Sequence, residues 1–381
     1  MRGGGRAPPI RKALAMILSP TAIDPAIVRA VQAGAVVAFS VSGGKDSTAA
    51  MHGAMSALDA LGHPHELRIA IHADLGRAEW QSTPATVAAV ARRFNLPLIV
   101  VRHGKHDMVS RWEARFEEGK RRYAALEVFN LIGPWSSASL RFCTSELKVQ
   151  VLGRKLQQMF PGRQVISVVG IRREESLTRS LAPISKPEPR WSRRDGFSML
   201  TWHPALNWST AEVFDRHHHF ALPLHEAYTV YKASRVSCAF CVLAAARDLR
   251  AAANAPGNRG LLHHLVELEA RSTFSFQPAR WLADVAPELL PAALAAAIIQ
   301  RRPMAQERRA LEASLPASLR YQKGWPPRLP TPDEAAQIVE ARARILAHHE
   351  LTDPFPTPKA VIDRFAELKW VQAQRAERLA A

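Results

Sequence analysis

The chain is poor in cysteine, in acidic residues relative to basic ones, and in long apolar runs. Three cysteines in 381 residues are an odd number, which speaks against a framework of paired disulfides and leaves metal or redox chemistry as the sharper use of the thiols. No apolar run reaches the roughly 18 residues needed to cross a bilayer. The opening MRGGGRAPPIRK also lacks the apolar stretch of a secretory signal. Together these place the chain in the cytoplasm, without a membrane partner. Asp and Glu total 34 against 51 Lys and Arg, a formal net charge of +17. Such an excess suits a polyanion, DNA or RNA, although an Ala- and Arg-rich proteome drifts basic without one. Apolar residues make up 47% of the chain, enough for a full core and, at this length, a second lobe.

Short β-rich runs alternate with helical segments after the first 34 residues. AVVAFSV (35–41), LRIAIHA (67–73), PLIVVRH (97–103), QVISVVGI (164–171) and FSMLTWHPAL (197–206) read as strands, and 47–61 and 82–94 as amphipathic helices between them. The pattern predicts parallel βαβ units in a doubly wound sheet, an α/β fold that binds ligands at the carboxyl ends of its strands. SKPEPRWSRRDG (185–196) reads as a surface loop. From 242 onward Ala-, Leu- and Arg-rich helical segments take over, punctuated by prolines such as GWPPRLPTP (324–332). The expected division is a tail with one or two short helices over 1–34, broken near Ser19-Pro20, an α/β domain over 35–241 and a helical C-terminal region over 242–381. No internal repeat is evident.

FSVSGGKDST (39–48) follows the first strand and opens a helix. Glycines there let the backbone approach an anion, and N–H groups at a helix start, reinforced by hydroxyls and the helix dipole, are ready to hold it. The spacing is not that of a Walker loop, so γ-phosphate transfer is not implied. The plainer alternative is an ordinary Gly-rich turn. Asp74, in HADLG at the end of the second strand, either orients a nucleotide or caps the next helix. GIRREESLTR (170–179) closes the fourth strand; its arginines suit phosphate or sulfate oxygens, while a solvated charged turn is the alternative. His217, His218 and His219 are adjacent on a helix and cannot converge on one ion.

Taken together these motifs resemble the PP-loop ATP pyrophosphatase superfamily, in particular its phosphoadenosine phosphosulfate (PAPS) reductase-like branch. Ser42-Gly43-Gly44-Lys45-Asp46-Ser47 is similar to the SGGxDS loop, and Gly170, Arg172, Glu175, Ser176 and Arg179 fit G-x-R-x-x-E-S-x-x-R. Cys143 to Lys148 resembles the C-T-x-x-L-K element. Arg235 to Cys241 resembles R-x-x-C-x-x-C, with Trp208, Pro223-Leu224-His225 and Tyr228 as the spacer between these elements. The resemblance, over 35 to about 245, implies a Rossmann-like adenine nucleotide α-hydrolase fold. It implies ATP with Mg²⁺ held by Ser42 to Ser47, Asp74, Gly170, Arg172, Glu175 and Ser176, with Lys45, Asp46, Arg172 and Arg179 as catalytic groups.

For Cys143, Cys238 and Cys241 the resemblance implies a [4Fe–4S] cluster, as in sulfonucleotide reductases and iron–sulfur tRNA thiolases; Zn²⁺ with a histidine or three separate thiols are the alternatives. No cysteine follows Cys241, so the PAPS reductase route through a C-terminal cysteine is disfavoured. The complete SGGKDS also favours ATP over a sulfonucleotide. The expected activity is cleavage of ATP to AMP and pyrophosphate, adenylylating a substrate for sulfur transfer from sulfide or a donor protein. DNA-phosphorothioation ATPases and tRNA thiolases resemble it, which would give the basic surface a DNA or tRNA partner. The rival readings are a PAPS or APS reductase borrowing an external thiol, and a non-catalytic nucleotide-binding module.

Overall fold

The computed structural model describes residues 18–192, 196–322 and 325–380. The N-terminal tail and the part of the expected helices before residue 18 lie outside the described residues. The rest divides into two compact units. One takes in the chain up to Asp107, Arg141–Cys241 and Arg247–Gly257; the other takes in Met108–Leu140, Val242–Ala246 and Asn258 onward.

In the first unit, α1 (Pro25–Gln32) starts on Asp24, whose carboxylate accepts from the N–H groups of Ala26 and Ile27, with Pro25 in the first turn. The chain then alternates β1 (Val36–Ser40), α2 (Lys45–Ala60), β2 (Arg68–Asp74), α3 (Thr83–Arg93) and β3 (Leu98–Arg102). It resumes with α5 (Gln150–Met159), β4 (Gln164–Val168), β5 (Ser185–Pro187), β6 (Ser198–Trp202), α6 (Thr210–His219) and α7 (Ala246–Asn254). The strand order is β3-β2-β1-β4-β6-β5. All pairings are parallel except β5 with β6, where Ser185 lies opposite Trp202.

Both faces of this sheet are covered. Val37 and Phe39 of β1 pack with Ile27, Met51 and Leu58 on one side, while Val36 and Ala38 pack with Ile69, Leu156 and Trp191 on the other. That explains why β1 is a continuous apolar run with no polar alternation, as buried parallel strands are. The order reverses between β1 and β4, so the carboxyl ends of those two strands flank the switch point.

The sheet departs from the sequence reading in two places. The expected fourth and fifth runs end as strands at Val168 (β4) and Trp202 (β6); after β4 the chain turns so that Arg172 reaches Asp46. And the expected surface loop at 185–196 begins with an antiparallel edge strand and buries Trp191. Trp191 lies on Gly153, where an added Cβ would stand 2.2 Å from the indole.

The second unit is helical: α4 (Met108–Ala124), α8 (Arg259–Ser272), α9 (Ala292–Ser314), α10 (Pro332–His348) and α11 (Pro358–Ala380). Leu126, Phe129, Leu319, Trp325, Ile338 and Phe365 form one of its cores. Thr331 opens α10 with a reciprocal cap to Glu334. No helix among the described residues is long and apolar enough to cross a membrane.

Candidate active site at the switch point

The turn from β1 into α2 carries the site. Gly43 sits at φ +74°, a left-handed conformation that costs a residue with a side chain roughly 1–2 kcal/mol. Gly44 is extended and caps α2. Ser47 Oγ donates to the Gly44 carbonyl at 2.9 Å and lies 3.2 Å from Ser42 Oγ, which knits the loop shut on itself. The Lys45 N–H donates to Tyr228 Oη at 3.2 Å. Among the described residues nothing accepts from the N–H groups of Asp46 and Ser47. The start of α2 therefore presents unpaired donors at its positive end.

Side chains from later in the chain shape this turn. His217 Nε2 donates to the Lys45 carbonyl at 2.9 Å. His225 accepts from the Ala227 N–H through Nδ1, leaving Nε2 to donate to Ser82 Oγ and Thr83 Oγ1, each at 3.2 Å. Burial lowers the pKa of both histidines, so they act as neutral hydrogen-bonding struts. Tyr228 Oη also accepts from the Val236 N–H at 3.0 Å, and burial raises its pKa. His217 had no expected role. Three adjacent histidines indeed do not converge, but the buried one braces the loop while His218 and His219 stay outside the core.

The charged groups expected to serve catalysis come together as one network. Lys45 is 4% exposed. Its ammonium lies 3.0 Å from Asp46 Oδ2 and 3.3 Å from the Ser234 carbonyl, against the rings of Phe214 and Tyr228. Arg172 Nε donates to the other oxygen, Asp46 Oδ1, at 2.7 Å. Desolvation opposes the Arg172 charge, but Asp46 and Glu174 outweigh it and its pKa rises. The Arg172 N–H donates to Glu175 Oε2 at 2.7 Å, and Glu175 pairs with Arg179 at 2.5 Å. Ser176 Oγ accepts from the Arg179 N–H. Gly170 closes the arrangement: an added Cβ would lie 2.6 Å from the Asp46 carbonyl oxygen, so only glycine lets the end of β4 pass this close to α2.

Asp74 stands at the same edge, one strand away. It accepts from the Gly76 N–H at 2.7 Å and pairs with Arg102 at 2.6 Å. Both of its oxygens are engaged, one in a local turn and one in the ion pair. Beyond it, Arg102, His103, Lys105, Arg154 and Lys155 line a cleft of about 350 Å³.

The cysteines also approach this edge. The N–H of Ala239, inside the Cys238–Cys241 turn, donates to the Ala78 carbonyl at 2.8 Å, tying it to the turn after β2. Cys143 lies in a short helical turn that runs into a π-helical turn, Ser145–Val149, ahead of α5. Desolvation, with a further contribution from Cys241, pushes the Cys238 thiol up to about 12. No three His, Cys, Asp or Glu side chains among the described residues are gathered as an ion site.

The family model for the phosphoadenosine phosphosulfate reductase domain matches residues 36–241. Among solved structures, the chain is similar to phosphoadenylyl-sulfate (PAPS) reductase from Candida auris in a phosphate complex. The identity is 16%, over 60% of this chain and 92% of that one, with a TM-score of 0.35. It is also similar to Candida glabrata FMN adenylyltransferase with FAD and inorganic pyrophosphate, at 14% identity over 54% of each chain and a TM-score of 0.34. The chain thus spans about half the length of that adenylyltransferase. No curated protein matches it. With the family match covering the strands and motifs that build the switch-point site, the chain belongs to the phosphoadenosine phosphosulfate reductase domain family.

Proposed function

We propose that the chain is an ATP-cleaving enzyme of the PP-loop type. It would bind ATP on the loop Ser42–Ser47 and transfer AMP to a substrate oxygen. In that step the substrate oxygen attacks the α-phosphorus, the bond from that phosphorus to the bridging oxygen breaks, and pyrophosphate departs with the bond electrons. The hydroxyl proton leaves to solvent or a base. Sulfide or a donor protein's sulfur then displaces AMP.

The observation that carries this reading is the start of α2: a left-handed glycine followed by unpaired N–H groups of Asp46 and Ser47, at the sheet's switch point. Donors fixed before the reaction stabilise charge growing on departing pyrophosphate without reorganising. In this proposal the loop backbone, not Lys45, makes the first contact with the phosphates, because Lys45 and Arg172 already share Asp46. Their task is to hold the turn rigid, with Arg179 and Glu175 extending the brace. Mg²⁺ would enter with the nucleotide and screen its phosphates. No step is assigned to a cluster at the cysteines.

The net charge of +17 and the basic cleft beyond β3 support a nucleic-acid substrate, DNA or tRNA. Pyrophosphate release is the direct test, measured with ATP, sulfide and either tRNA or duplex DNA. Formation of AMP and pyrophosphate that depends on the nucleic acid is expected. Release of ADP and phosphate, or no ATP binding by calorimetry, would overturn the reading.

A further inference from the structure

The helical unit holds a cavity of about 440 Å³ whose lining comes wholly from its own residues. Trp135, Phe274, Phe276 and Trp281 supply aromatic walls, and Arg308 and Arg309 supply charge. Trp135 is fixed by donating Nε1–H to the Phe274 carbonyl at 2.9 Å and by an edge contact with Phe276 at 4.9 Å. The Phe274 ring fits only because residue 133 is glycine, where a Cβ would stand 2.6 Å from it.

The loop that frames the cavity is built rigidly. Glu269, fully buried, accepts from the N–H groups of Phe276 and Leu282 at 2.7 Å and of Ala283 at 3.1 Å. The Gln277 amide donates to the carbonyls of Val242 and Ala244, both at 2.9 Å. Thr273, in the wall, sits at φ +60°, a strained conformation for a β-branched residue that persists only where surroundings enforce it. Arg308, 3% exposed, lies 3.6 Å from the Phe274 ring centroid and pairs with Glu312 at 2.8 Å. Arg309 lines the same cavity, is exposed, and has no acidic partner among the described residues.

Preformed aromatic walls beside an uncommitted guanidinium match a flat heteroaromatic ring that carries a phosphate. We propose that this cavity takes the base of a nucleotide, stacked among Trp135, Phe274 and Trp281, with its phosphate at Arg309. The occupant is either a free mononucleotide or a base presented by single-stranded nucleic acid; base stacking on aromatic side chains serves both. The site is independent of the ATP loop, since it shares no residue with it.

The test uses the full chain without ATP, whose own base and phosphates would compete for the cavity; the cavity variants tell binding there from binding at the loop. Binding of a labelled oligothymidylate at low salt is followed by anisotropy, and of thymidine monophosphate by tryptophan quenching. Trp281→Ala and Arg309→Glu should each weaken binding about tenfold. Lys359→Glu, with the same charge change at a side chain 85% exposed on α11, should not. If the monophosphate binds and competes with the oligonucleotide, the free nucleotide is an occupant; if only the oligonucleotide binds, the occupant is a strand. Absence of binding by both probes would overturn the proposal. So would binding that Arg309→Glu shifts no more than Lys359→Glu does; this arm holds even if Trp281→Ala fails to fold.

Discussion

The switch-point loop of the first unit and the aromatic cavity of the second are both proposed as sites for phosphate, but they are built by different means. The loop is made of backbone: a left-handed glycine, unpaired N–H groups, and a second glycine that lets β4 touch α2. Its charged side chains face one another, with Lys45 and Arg172 sharing the carboxylate of Asp46. The cavity is made of side chains, rings and guanidiniums, and the backbone around it is tied down by one buried carboxylate. A backbone site grips any phosphate in a fixed place, while a side-chain site can choose a ring shape. The first should fail through ion pairing and steric close approach, the second through titration.

The largest effect should come from Asp46→Ala. It strands Lys45 and Arg172, both 4% exposed, without their shared partner, and removing one member of a buried pair costs about 3–5 kcal/mol. Urea denaturation should show that loss; an unchanged midpoint would mean the network is ornamental.

Next in size is the pH response of the second unit. Burial raises the Glu269 pKa to about 7 from 4.5, with the three N–H donors opposing the shift. Between those values the folded state holds a proton that the unfolded chain has released. Stability is therefore greatest below pH 4.5 as far as this group is concerned, and it falls as pH rises to about 7, by about 3 kcal/mol. Glu269→Gln should flatten that part of the stability profile. An equally steep slope in the variant would assign it to another group.

Gly170→Ala should come third, costing about 1–3 kcal/mol as the new Cβ pushes on the Asp46 carbonyl, with a parallel loss of ATP affinity in calorimetry. Gly43→Ala should be the mildest. Its nearest neighbour would be His225 at 3.5 Å, so only the φ penalty of roughly 1–2 kcal/mol applies, and ATP binding should weaken without vanishing. A larger defect from Gly43→Ala than from Gly170→Ala would reverse the ranking of close approach over backbone conformation.

Much of the fold was legible because buried parallel strands announce themselves as apolar runs. All five expected runs are strands, and the loop after the first begins a helix as its glycines and hydroxyls suggested. The sixth strand was not legible: Ser185-Lys186-Pro187 has no strand composition and forms only because β6 offers it an edge. Trp191 looked like part of a polar loop because the cavity above Gly153 that receives it is made 38 positions earlier. The gathering of Lys45, Asp46, Arg172, Glu175 and Arg179 was legible as motifs placed at strand ends. Their mutual pairing was not, nor was the bracing role of His217.

What the sequence determined by itself is local: which segments are strands, where glycine must relieve the backbone, and which motifs sit at the carboxyl ends of β1 and β4. Tertiary structure alone decided where the charges point. Asp46 meets an arginine 126 positions later, and Lys45 a carbonyl 189 positions later, with its ammonium buried. Only tertiary structure, too, gathered residues from 135–138, 242–243, 273–281 and 305–309 around one aromatic cavity. Hydrophobic period and turn chemistry act over a few residues and are written in order along the chain. Ion pairing and cavity lining act across space, and no local pattern encodes the partner.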